Sequence, residues 1–124
     1  MSVSIGQIII DSANKEKLSN FLSSLIDLEI FPNGEEVILY SDNIRFSIVD
    51  RNGDRSHSNS MKVDLHLGDE LTLEEVKQRF EFLNYRDSIG KLVDQGDIKD
   101  CQTHAFMEFV DFEGRSWRLT QQMT

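Results

Sequence analysis

Lys62, Asp64 and His66 alternate with Val63, Leu65 and Leu67, and Arg118 stands between Trp117 and Leu119. Successive side chains of a strand point to opposite faces, so this spacing turns two cations, a carboxylate and an imidazole away from apolar surfaces. Cations gathered on one face repel each other unless an acidic neighbour or a bound anion offsets them. Other reactive side chains have less support. Cys101 lies between Asp100 and Gln102, where negative charge disfavours a thiolate, and it reads as a structural or loop thiol. It has no CxxC or Cys/His spacing of a zinc site. His57 and His104 read as loop or strand-end residues, since no helical H-x-x-x-H pair exists. Asp94, Asp97 and Asp100 resemble a calcium loop only weakly and read as a solvated acidic surface. Dinucleotide, P-loop and nucleophile-elbow motifs do not occur.

The elements that must position these side chains follow from periodicity. Ile5 to Ile10 is rich in β-branched residues and predicts a strand. From Asn14, a candidate N-cap, Leu18, Phe21, Leu22 and Leu25 form the stripe of a helix over 15–27. Leu28 to Phe31 is a short extended piece, and Pro32-Asn33-Gly34 predicts a turn. Glu35 to Tyr40 and Ile44 to Val49 read as a hairpin joined through Ser41-Asp42-Asn43. Asp50 to Ser60 lacks apolar periodicity and reads as a linker. The alternating strand around residues 63–67 comes next. Thr72 and Glu75 form a capping box for a helix over 73–85, with Leu73, Val76, Phe80 and Leu83 as its stripe. Arg86 to Gln102 is the least legible stretch, with a short strand at Lys91 to Val93. Phe106 to Val110 and Ser116 to Thr120 close the chain around a turn at Phe112-Glu113-Gly114.

With 124 residues, the chain suits one domain of roughly 100–150 residues. A composition of 39% hydrophobic and 28% charged residues argues for a folded protein rather than disorder. The formal charge of -9 disfavours nucleic acid and anionic membrane surfaces as partners. A single cysteine makes no intrachain disulfide and fits a reducing compartment. MSVSIGQIII lacks the features of a secretory signal, and no apolar run approaches the ~20 residues of a membrane span, so a cytoplasmic location is expected. Residues 1–61 carry five basic and nine acidic side chains, and residues 62–124 carry eight and thirteen. Similar length, charge and element order in the two halves suggest an internal duplication.

That order, together with Asp111-Phe112-Glu113-Gly114-Arg115-Ser116-Trp117-Arg118-Leu119, resembles the vicinal oxygen chelate superfamily. The group includes glyoxalase I, fosfomycin and bleomycin resistance proteins and extradiol dioxygenases. The quoted segment is similar to the family's closing D-P-x-G-x-x-W/L-E-L, with Phe112 in place of Pro. Gln7-Ile8-Ile9-Ile10 and Asn14 to Phe21 look like its opening strand and the start of its first helix. The resemblance implies an α+β fold of paired strand-helix-three-strand modules forming a curved sheet around a cleft. It implies a single domain over 1–124, with module 1 at about 1–55 and module 2 at about 60–124.

Metal-dependent members of the family carry ligands on four strands. Matched position by position, these fall on Gln7, near Ser47, on Lys62 where His is usual, and on Arg118 where Glu is usual. Ammonium and guanidinium groups have no lone pair for a divalent ion. Three readings of the polar face remain open. Lys62 and Arg118 can pair with Asp64 and Glu108, they can converge on an anionic ligand, or Gln7, His66 and Glu108 can keep a residual metal site. The ligand-binding set is thus Gln7, Ser47, Lys62, Asp64, His66, Glu108 and Arg118, with no metal and no cofactor expected. The resemblance implies a homodimer that binds or sequesters a small molecule. The alternatives are a metal-dependent lyase, isomerase or thiol transferase of the superfamily, and a regulatory module that has lost ligand binding.

Overall fold

The structure is a computed structural model describing residues 2–51 and 62–123. The chain divides into two compact units, residues 1–55 and 56–124. The linker expected over Asp50–Ser60 begins at Asp50, which ends a strand. Residues 52–60, with His57, lie outside the described residues.

The first unit runs β1 (Ile8–Ser12), α1 (Lys15–Ile26), β2 (Glu29–Asn33), β3 (Glu36–Ser41) and β4 (Ile44–Asp50). The Asn14 side chain accepts from the Lys17 N–H at 3.1 Å and caps α1, as expected. The sheet has the order β1-β4-β3-β2, with β1 parallel to β4 and the other pairs antiparallel. Register places Ile10, Ile48 and Val37 side by side, and likewise Leu39 and Phe46. These residues are buried, as are Leu18, Phe21, Leu22 and Leu25 of the helix, which packs on all four strands. Two boundaries differ from expectation. β1 starts at Ile8 because its ladder with β4 begins at Ile8 opposite Phe46, and Ile5 to Gln7 are exposed. Pro32 and Asn33 belong to β2 rather than to a turn. β2 is an edge strand, where a proline leaves no ladder donor missing.

The second unit contains β5 (Lys62–Leu67), α2 (Leu73–Asp87), β6 (Gly90–Leu92), β7 (Lys99–Cys101), β8 (His104–Asp111) and β9 (Ser116–Gln122). Thr72 Oγ1 accepts from the Glu75 N–H at 3.2 Å, so the predicted cap forms. β5 lies parallel to β9 and β9 antiparallel to β8. β6 and β7 both pair with β8, at its opposite ends, and act as a broken edge strand. The break is a short 3-10 turn at Val93–Gly96 in which Asp94 and Gln95 take left-handed conformations. This is the region the sequence left least legible: the expected strand at 91–93 sits at 90–92, and β7 went unpredicted. Gly90 is required because a Cβ there would lie 2.1 Å from the Val110 carbonyl oxygen.

Phe80 of α2 meets Phe109 of β8 with ring centroids 5.2 Å apart, and Phe109 stacks on Trp117 of β9 at 6.1 Å. Around them Val63, Leu65, Met107 and Leu119 are buried. The β8–β9 turn is organised by the buried Asp111. Its Oδ1 accepts from the Glu113 and Arg115 N–H groups, and its Oδ2 accepts from Arg115 Nη1 at 2.8 Å and Trp117 Nε1 at 2.9 Å. Gly114, at φ 86°, takes the left-handed turn position. The closing motif is therefore a structural device that seats Trp117 in the core. Each unit is a strand-helix-strands module whose first strand lies parallel to its last.

Candidate functional site

In the second unit, the sheet face opposite α2 carries side chains in rows set by strand register. Asp64, Arg118 and Glu108 form one row, and His66, Thr120, Phe106 and Lys99 the next. The Lys62 Nζ donates to Glu108 Oε2 at 2.5 Å. Arg118 Nη2 stands 3.7 Å from Glu108 Oε1, too far for a hydrogen bond, and its Cζ lies 4.5 Å above the Phe106 ring. The Lys62 hydrogen bond holds the Glu108 carboxyl below the usual carboxylate range, opposed by desolvation and assisted by the charges of Lys62, Arg118 and Lys99. Lys99 pairs with Asp94, whose hydrogen bond and charge raise the Lys99 pKa.

Of the three readings left open, the pairing of the cations with acidic neighbours is borne out for Glu108, which both face, and corrected for Asp64. Asp64 Oδ1 instead accepts from Thr120 Oγ1 at 2.8 Å. A short aspartate arm is satisfied by the hydroxyl two residues along β9, whereas the longer glutamate arm meets both cationic side chains. His66 lies edge-on to His104 with ring centroids 6.0 Å apart, and His104 Nδ1 is 2.9 Å from Thr103 Oγ1. Thus Lys62, Glu108 and Arg118 come together, Asp64 sits beside Arg118 in register, and His66 is drawn to a histidine read only as a strand-end residue.

In the first unit, Ser47 is buried and its hydroxyl donates to Glu36 Oε2 at 2.5 Å. Gln7 is exposed on the wall of an open concavity of about 790 Å³. Phe31, Asn33, Ile38, Tyr40 and Arg45 line the same concavity. Register sets Ser47 beside Ile38 and Arg45 beside Tyr40, on the face opposite the one buried by α1. Sequence reasoning missed Arg45, Tyr40 and Phe31. The signal was present for Arg45, since Ile44, Phe46 and Ile48 alternate with Arg45 and Ser47 just as Val63 and Leu65 alternate with the polar residues of β5.

No protein-family model and no curated protein matches the sequence. Solved structures do. Fosfomycin resistance protein FosX from Listeria monocytogenes matches with a TM-score of 0.75 at 15% identity, over 99% of this chain and 96% of that one. A glyoxalase/bleomycin resistance protein from Albidiferax ferrireducens T118 matches with a TM-score of 0.73 at 12% identity, over 95% of this chain and 98% of that one. Hypothetical protein SA1046 from S. aureus matches with a TM-score of 0.72 at 15% identity, over 98% and 95%. This is the vicinal oxygen chelate fold.

The α+β class and the two strand-helix-three-strand modules expected from the sequence are those of this glyoxalase-like fold. The residues that the sequence resemblance matches to metal-ligand positions can be tested against a divalent ion by their chemistry. Gln7 offers an amide oxygen. Ser47 offers a hydroxyl already donating to Glu36, and Lys62 and Arg118 offer cations bearing no lone pair. Among the described residues, no three His, Cys, Asp or Glu side chains are grouped so as to hold a metal ion. This set does not fit a divalent cation. No helix among the described residues is long and apolar enough to cross a membrane.

Proposed function

We propose that this chain binds or sequesters a small molecule on the sheet faces opposite its helices, without a divalent metal ion. The observation that carries the reading is the open concavity of about 790 Å³ beside Gln7. Ligand pockets usually fall at roughly 300–1,000 Å³, with apolar walls and a few convergent polar groups. Phe31, Ile38 and Tyr40 offer the apolar and aromatic surface, and Gln7, Asn33 and Arg45 the polar groups. Two of the fold's representatives are named for resistance to small molecules, which agrees with binding as the common task. The replacement of donors by Lys62 and Arg118 supports metal independence. We further propose that the protein works as a cytoplasmic homodimer; its one cysteine, Cys101, is exposed and free, as a reducing compartment allows.

The test combines elemental analysis of protein purified without chelator with an amide-shift screen of small organic compounds. Substoichiometric metal and a saturable response at Gln7, Tyr40 and Arg45 are expected. Near-stoichiometric nickel, zinc, iron or manganese, lost on substitution of Gln7 or His66, would overturn metal independence and favour a lyase, isomerase or thiol transferase. A screen that gives no saturable response would overturn binding and favour a regulatory module. Sedimentation equilibrium checks the dimer, and a single species of monomer mass would remove it.

A further inference from the structure

We infer that Arg118 is the anchor for a ligand bearing a single carboxylate, an inference that rests on the small-molecule reading above. Lys62 and Lys99 on this face are each engaged by a hydrogen bond, Lys62 to Glu108 Oε2 at 2.5 Å and Lys99 to Asp94. Arg118 is held differently. Its guanidinium lies 4.5 Å from the Phe106 ring centroid, and the nearer Glu108 oxygen is 3.7 Å away, beyond hydrogen-bond reach. Its Nε is buried with no hydrogen-bond partner among the described residues. The contact with Phe106 therefore holds the guanidinium in place, its charge faces Glu108, and its donors make no hydrogen bond among the described residues. A side chain 35% exposed leaves the terminal Nη groups open to a ligand from outside.

Charge selects the ligand class. A carboxylate matches the fork of a guanidinium bidentately, and the pair is stronger than a neutral hydrogen bond. Asp64 and Glu108 flank Arg118 in register on either side. Lys62 offsets Glu108, and Thr120 donates to Asp64 without neutralising it. A ligand with one negative charge gains the guanidinium at modest cost, whereas a dianion places its second charge against these two carboxylates. The half-buried Phe106 ring beside the guanidinium favours a planar or aromatic body next to the carboxylate.

The probes are benzoate, its neutral isostere benzamide, and phenylphosphonate in its dianionic form, titrated into isotopically labelled protein while the Arg118 Nε–Hε signal is followed. Benzoate should shift that signal saturably, benzamide should not, and phenylphosphonate should bind more weakly than benzoate. Arg118→Gln should weaken benzoate by about ten- to a hundredfold, the loss of a charge-assisted contact. Glu108→Gln, which removes a competing carboxylate and releases Lys62, should tighten benzoate, and it serves if Arg118→Gln fails to fold. Equal response to benzoate and benzamide, unchanged benzoate affinity in Arg118→Gln, weaker benzoate in Glu108→Gln, or tighter phenylphosphonate would each overturn the assignment. Compounds that saturate Gln7, Tyr40 and Arg45 while leaving Arg118 unmoved would sink this inference and spare the proposed function. No saturable response anywhere would sink both.

Discussion

The Lys62 ammonium reaches across the whole of β9 to meet the Glu108 carboxylate at 2.5 Å. Lys62 stands on β5 and Glu108 on β8, so their backbones are two strand spacings apart, roughly 9–10 Å. Only long side chains leaning toward each other can close such a gap, and Arg118 rises from the strand between them. The polar face is thus organised around one carboxylate that two cations approach from the β9 and β5 side.

That arrangement has a pH signature. The Glu108 pKa lies below its ordinary value of 4.5, chiefly through the Lys62 hydrogen bond, so folding favours the ionised form. The stabilisation is fully present above the unfolded value and is lost as pH falls through the lower folded one. Lys62 is about half exposed, which keeps the contribution at about 0.2–1 kcal/mol. Urea midpoints should therefore show wild type above Glu108→Gln at neutral pH, with the gap closing well below pH 4.5. A gap that widens on acidification would contradict the pairing.

Asp111→Asn should be far more damaging. The carboxylate accepts four hydrogen bonds in the core, and its loss removes the nearer of the two carboxylates that face the 4% exposed Arg115, leaving Glu113 at 3.4 Å. Breaking one partner of a buried pair costs about 3–5 kcal/mol. Denaturant unfolding and Trp117 fluorescence would both register it; a near-wild-type midpoint would mean that the turn does not depend on this charge.

Phe21→Ala and Phe80→Ala remove rings that are 3% and 1% exposed, one in each unit. Each should lower stability by about 3–5 kcal/mol. If either midpoint stays unchanged, that helix does not cover its sheet as described.

The helix caps provide a smaller, cleaner check. Asn14 and Thr72 each accept an N-terminal amide hydrogen with the side chain, so Asn14→Ala and Thr72→Ala should cost about 0.5–2 kcal/mol apiece. Hydrogen exchange at Lys17 and Glu75 would accelerate, and protection equal to wild type would show that the caps are dispensable.

Much of this molecule was legible before any coordinates because its signals are local. A helix stripe at Leu18, Phe21, Leu22 and Leu25, a capping box at Thr72 and Glu75, and alternation through Lys62 to Leu67 each need only a few consecutive residues. Family-like motifs extended that to the order of the modules. The broken strand of β6 and β7 escaped because three-residue pieces are too short to show a period, and the left-handed turn at Asp94 and Gln95 uses residues that carry no turn signal as strong as glycine's.

What the sequence determined by itself was which side chains share a face: Lys62, Asp64, His66 and Arg118 opposite Val63, Leu65, Trp117 and Leu119. That much follows from the two-residue repeat of a strand. Which of them touch was decided only by tertiary structure, because contacts across strands depend on register, and register arises from pairings between segments far apart in the chain. The parallel pairing of β5 with β9 and the antiparallel pairing of β9 with β8 bring Glu108 to Lys62, leave Asp64 to Thr120, and lay the Arg118 guanidinium on Phe106.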